Sequence, residues 1–123
     1  MKILIVEDEE ILIKVLQEKF EAQKFKVSTA QEGNLVLPLA RKFKPDIILL
    51  DILLPKVNGL DILSDLKADE DLRNIPVIMI SNIDEDHKLR QALSLGAVDY
   101  MIKSQHPINE VVEMVNKYVL KAK

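Results

Sequence analysis

The sequence predicts an α/β domain whose sheet is parallel and covered by helices on both faces. Three observations carry that prediction: five short apolar runs that read as strands, a helical stripe following each run, and short connections without a hairpin signal. The 123 residues suffice for one domain, 1–123, that buries roughly two thirds of the surface its unfolded chain exposes.

The first run, residues 3–6, is Ile-Leu-Ile-Val, too short for a helix and β-branched enough for a strand buried on both faces. Ile11, Leu12, Val15, Leu16 and Phe20 then form a helical stripe, with Glu9 and Glu10 near the positive helix end and Asp8 placed to cap it. Phe25 to Thr29 is the second strand. Val36, Leu39, Ala40 and Phe43 mark a helix over 32–44, in which Pro38 predicts a kink or a late start around Leu37. Asp46 to Leu50 is the third strand, and Leu60, Leu63 and Leu66 a helix beginning near Gly59; the polar run Ala68 to Asn74 reads as a loop. Pro76 to Ile80 is the fourth strand. Asp84, Glu85 and Asp86 suit the first turn of a helix carrying Leu89, Ala92 and Leu93, which Gly96 ends in the left-handed conformation. Ala97 to Ile102 is the fifth strand, and Pro107 opens a last helix with Ile108, Val111, Val112, Val115 and Val119 on its core face.

A net charge of -3 argues against phosphate-driven nucleic-acid binding by this domain. Without cysteine there is no disulfide, thiolate nucleophile or thiolate metal site. The apolar runs fall short of the ~18 residues of a membrane span, and the first meets acids at once, unlike a signal peptide, so the expectation is a mature cytoplasmic domain without membrane contact.

In a doubly wound sheet, ligands bind beyond the carboxyl ends of the strands. Those ends carry Glu7 and Asp8, Asp51, Ser81 and Asn82, and Lys103. Singly, each has a plain structural explanation as a cap, turn residue or surface group. Together they do not, because right-handed crossovers set strands one and three side by side and converge three acids. At ~5 Å and an effective dielectric of ~20, each pair of ionised carboxylates repels by roughly 3 kcal/mol. Lys103 supplies one positive charge, and a divalent cation that prefers oxygen ligands, Mg2+ or Mn2+, completes the balance.

The acid pair Glu7-Asp8, the segment from Pro45 to Asp51, the spacing of Pro55 and Gly59, Ser81 and Lys103 together resemble the receiver domain of bacterial response regulators, along essentially the whole chain. The resemblance implies a flavodoxin-like (βα)5 fold with strand order 2-1-3-4-5. It implies that Asp51 is the phosphoacceptor, that Glu7, Asp8 and Asp51 hold Mg2+ with the Leu53 backbone carbonyl, and that Ser81 and Lys103 sense the phosphoryl group. Tyr100 resembles the aromatic switch on the face of helix four, strand five and helix five, a core aromatic being its other reading. The implied partners are a histidine kinase or phosphotransfer protein as donor, and a downstream protein or output domain docking on that face. Such a protein is a signalling phosphoacceptor, catalysing only its own phosphorylation and dephosphorylation.

Three departures from the family pattern stand out. Ser104 replaces the usual proline after the lysine, and since a non-proline cis bond costs about 2.5–4 kcal/mol, a trans path is expected there. Asn82 is larger than the usual residue after the hydroxyl. Leu53 and Ile83, each two residues past a site residue, are apolar where polar groups help to place a hydrolytic water, so slow self-dephosphorylation is expected. A haloacid dehalogenase-like phosphatase has a second aspartate two residues after its nucleophile, where this chain has Leu53, and a flavin carrier lacks its phosphate loop here. The nearer alternative is a phosphorylation-independent interaction module of the same fold. His87 and His106 read as surface residues.

Overall fold

The structure, a computed structural model, describes residues 1–82 and 86–121. Strands β1 (Lys2–Val6), β2 (Lys26–Ala30), β3 (Ile47–Asp51), β4 (Val77–Ser81) and β5 (Asp99–Ile102) form one sheet in the order β2-β1-β3-β4-β5. Every pairing in it is parallel. Helices α1 (Glu10–Ala22), α2 (Val36–Phe43), α3 (Gly59–Ala68) and α4 (Asp86–Ser94) fill the four crossovers, and α5 (Ile108–Lys121) follows β5. The predicted order and architecture are therefore those observed.

Alternation along the buried strands divides the core in two. Leu4, Val6, Ile48, Leu50, Val77 and Met79 pack in one layer with residues of α2, α3 and α4. Ile3, Ile5, Ile47, Leu49, Ile78 and Ile80 face the other layer, with Leu16 and Phe20 of α1 and Val111, Val112, Val115 and Val119 of α5. Burial on both faces is why these strands read as unbroken apolar runs.

Several boundaries and contacts differ from the sequence reading. Phe25 precedes β2 and packs edge-on against Phe20, ring centroids 5.2 Å apart. The buried residues of α1 are Ile13, Leu16 and Phe20, with Leu12 packed beside them, so the predicted stripe holds except that Ile11 is 82% exposed and Ile13 takes its place. Asp8 does not cap α1: Glu9 occupies that position and makes no side-chain capping bond. Of the two readings of Pro38, the late start holds. A 3-10 turn, Gly33–Leu35, precedes α2, which places Pro38 in the first helical turn, where no backbone donor is lost. Leu93 lies on the surface of α4. Gly96 has the expected positive φ, 110°. The acidic run at Asp84 and Glu85, and Ile83, lie outside the described residues.

A further departure is a short antiparallel ladder, Leu53–Leu54 against Val57–Asn58, where no hairpin was expected. Its turn is Pro55-Lys56, and Lys56 takes φ 66°, a conformation the sequence signals only when glycine or asparagine occupies it. Asn58 then caps α3 by accepting the Leu60 N–H at 2.9 Å.

Candidate functional site

The strand register brings the polar ends together. Val6 is level with Leu50, Asp51 with Ile80, and Ser81 with Ile102, so Glu7, Asp51, Ser81 and Lys103 emerge along one edge. Each ladder runs one step further: the Glu7 N–H donates to Ala30 at 3.0 Å and the Lys103 N–H to the Ser81 carbonyl at 2.8 Å. The backbones that present these side chains are thus fixed by the sheet itself.

Glu7, Asp51 and Ser81 are the buried polar residues of the described chain, whereas Asp8 is exposed at the rim. The Lys103 ammonium reaches back over the strand ends and donates to Glu7 Oε1 and Asp51 Oδ2, both at 2.9 Å. The Lys103–Ser104 peptide is trans, as expected, and the amine is held by both acids nonetheless. Asp51 Oδ1 accepts the Leu53 N–H at 3.0 Å. Both oxygens of Asp51 are therefore oriented, one by backbone and one by a cation.

The electrostatics follow from burial. Burial pushes the Glu7 carboxyl up to about 7, partly offset by the Lys103 hydrogen bond and reinforced by the Asp51 charge. Burial pulls the Lys103 ammonium down, but its hydrogen bonds and ion pairs with Glu7 and Asp51 outweigh that, and the net shift is upward. Lys103 therefore stays charged through the neutral range.

Glu7, Asp8 and Asp51 each offer one oxygen within 4.8 Å of the others. Glu7 Oε2 is buried without a directed hydrogen bond, although the Lys103 ammonium lies 2.8 Å away. A cluster of converging carboxylates with an unsatisfied buried oxygen fits a hard divalent cation held by oxygen ligands.

A cleft of about 180 Å3 opens on this cluster, lined by Asp8, Glu9, Asp51, Leu53, Asn82 and Lys103. Leu53 is 55% exposed at its edge. Glu9, read from the sequence only as a favourable charge at a helix start, proves to be a member of the site, with Oε1 3.6 Å from the Lys103 ammonium. Its adjacency to Glu7-Asp8 was the available signal. Ser104 is exposed in the following turn, and His106 pairs with Glu110 at 2.6 Å outside the acid cluster. Tyr100 is half-buried and packs with the α2–α4 core layer.

A doubly wound parallel sheet whose carboxyl edge gathers three acids and a lysine defines a receiver-type domain. The chain belongs to the response regulator receiver domain family, whose model matches residues 3–116. It is 38% identical over 111 residues to the response regulator PleD of Caulobacter vibrioides, a match covering 90% of this chain and 24% of that protein. It is 33% identical over 120 residues to the polar-differentiation response regulator DivK of Brucella ovis, covering 95% of this chain and 94% of DivK. Among solved structures, the receiver domain of the Francisella response regulator 1452 superposes with a TM-score of 0.89 at 27% identity, covering 99% of this chain and 98% of that one. The chain thus spans about a quarter of the length of PleD. Among the described residues, no helix is long and apolar enough to cross a membrane.

Proposed function

We propose that this receiver, a single domain over 1–123, takes a phosphoryl group from a histidine kinase or phosphotransfer protein onto Asp51, in the cytoplasm. The observation that carries the reading is Asp51 itself, 3% exposed yet oriented by Lys103 and the Leu53 N–H beside two further acids. A carboxylate oxygen of Asp51 attacks phosphorus. The P–N bond to the donor imidazole breaks, and its electron pair leaves with the imidazole. The Lys103 ammonium, 2.9 Å away, holds that carboxylate in place for the attack. Lys103 exchanges one anion, Asp51, for another, the transferred phosphoryl oxygens, and Ser81 follows from the adjoining strand end.

Glu7, Asp8, Asp51 and the Leu53 carbonyl would hold the cation, Mg2+ or Mn2+. When bound, it neutralises charge on the transferring phosphoryl group. The protein's share is positioning and fixed charge, and it turns over no other substrate. The new phosphoryl charge then biases the α4-β5-α5 face, with Tyr100 as the switching aromatic and a downstream protein or output domain as its reader. Direct nucleic-acid binding and membrane contact form no part of this reading.

Incubation with Mg2+ and acetyl phosphate tests the proposal. One phosphoryl group is expected on the parent, dependent on the cation, and none on Asp51→Asn. Labelling of the parent by neither small donors nor a kinase returns the chain to the phosphorylation-independent reading.

The departures set the lifetime of the product. Leu53 presents a hydrocarbon where a water would have to be held, Asn82 lines the same cleft, and Ser104 lies just beyond Lys103. We expect slow hydrolysis, and Leu53→Asn is expected to shorten the phosphoryl half-life about fivefold by giving the water a partner. An unchanged half-life overturns that assignment.

A further inference from the structure

Glu9 is the one cleft residue to which the phosphoacceptor reading gives no task. Its carboxylate shares the Lys103 ammonium with Asp51, at 3.6 Å and 2.9 Å respectively. The two acids are therefore no more than about 6.5 Å apart, close enough for a charge on Glu9 to act on anything that meets Asp51. Its side chain is 55% exposed, so it stands at the cleft mouth and not behind the cluster. Every small phosphodonor brings negative charge into this space, which already holds Glu7, Asp8 and Asp51.

We propose that Glu9 is a specificity-determining residue that selects against small dianionic phosphodonors. The inference rests on Asp51 as phosphoacceptor and concerns which donors reach it. Acetyl phosphate, a dianion near neutral pH, transfers its phosphoryl group as the Asp51 O–P bond forms and the P–O bond to acetate breaks, its electron pair leaving with acetate. Phosphoramidate, a monoanion carrying its proton on nitrogen, transfers the same group as the P–N bond breaks and ammonia departs with the electron pair. The bonds made to Asp51 are identical, and the donors differ in total charge. Repulsion from Glu9 scales with that charge, so removing it favours the dianion by the square of the factor gained by the monoanion. Taking the limit of about 6.5 Å between Glu9 and Asp51 as the scale for a donor at Asp51, in largely aqueous surroundings, those factors are roughly threefold for phosphoramidate and roughly tenfold for acetyl phosphate.

Glu9→Gln keeps the fold. The Glu9 side chain makes no capping bond. Its carbonyl accepts from the Ile13 N–H at 3.0 Å and its N–H donates to Glu7 at 3.2 Å, both through backbone atoms that glutamine retains. Glu10→Gln removes an equal charge from the exposed neighbouring position in the first turn of α1 and serves as the control.

The rate of labelling of the parent, Glu9→Gln and Glu10→Gln by each donor, at saturating Mg2+ and at low and high salt, decides the matter. The expected result is an acetyl phosphate gain in Glu9→Gln well above the phosphoramidate gain, a gap that closes as salt rises, and little change in Glu10→Gln. Equal gains for both donors would mean that Glu9 acts only by restraining Lys103, and gains matched by Glu10→Gln would reduce it to net charge; either overturns the inference while leaving Asp51 as acceptor. No labelling of any of the three proteins removes the acceptor reading and this inference with it.

Discussion

Replacing Lys103 by methionine is expected to destabilise the metal-free protein by about 3 kcal/mol near pH 8 and to slow phosphorylation at least about 100-fold. Methionine preserves the length and apolar packing of the stem, so the change isolates the charge. Without it, Glu7 and Asp51 remain as buried carboxylates with no counter-ion, and breaking one side of a buried pair leaves the other uncompensated. The stability deficit has a definite pH dependence. Glu7 titrates at about 7 in the folded protein against an ordinary 4.5. Its protonated form is therefore favoured by folding, and the stability this contributes is complete below 4.5 and is lost as pH rises through 7. Lys103, shifted upward, remains charged across that window, and its pairing matters most once Glu7 is ionised. Urea unfolding of parent and variant at about pH 5 and about pH 8 is expected to show the larger difference at the higher pH. An equal deficit at both would detach Lys103 from the titration of Glu7. The loss of rate follows separately, because the ammonium is, among the described residues, the one fixed positive charge within 3 Å of the attacking carboxylate.

Gly59→Ala is expected to be the most damaging substitution of a single methyl group in the chain. A Cβ there would lie 2.1 Å from the Asp51 carbonyl oxygen and 2.7 Å from the Ile52 Cα, both backbone atoms of the segment that carries the site. Nothing flexible is available to yield. The Gly59 N–H also donates to the Ile52 carbonyl at 2.6 Å, so α3 begins pressed against the end of β3. Overpacking typically costs about 1–3 kcal/mol, and a clash with backbone belongs at or above the upper end of that range. Chemical denaturation is expected to show that loss, together with impaired Asp51 labelling in whatever fraction remains folded. A stability unchanged within error would mean that the close approach of α3 to β3 is not a constraint.

The sheet was legible because each central strand is buried on both faces and so prints as an uninterrupted apolar run. Its carboxyl edge was legible for the converse reason: a polar residue ends each of those runs. Less legible was the phase of α1. Apolar side chains at 11, 12, 13, 15 and 16 satisfy more than one helical face, and only packing against the sheet selects Ile13 over Ile11. The ladder after Asp51 escaped notice because a lysine adopts the positive φ of its turn. Asp8 was divided between helix cap and site, and Glu9 was assigned wholly to the helix. Distinguishing them required the path of the β1–α1 connection, which tertiary contacts set. Ser104 was readable as a departure, but that Lys103 keeps both acid partners on a trans path depended on the geometry of the whole edge.

The most direct test of the central claim is to locate the phosphoryl group chemically. After labelling with acetyl phosphate and Mg2+, borohydride reduction converts an aspartyl phosphate to homoserine, and peptide sequencing by mass spectrometry reads its position. Homoserine at position 51 and nowhere else is the predicted result. Homoserine at Asp8 or any other acid, or its absence from position 51 in protein that has demonstrably taken up the label, would contradict the account.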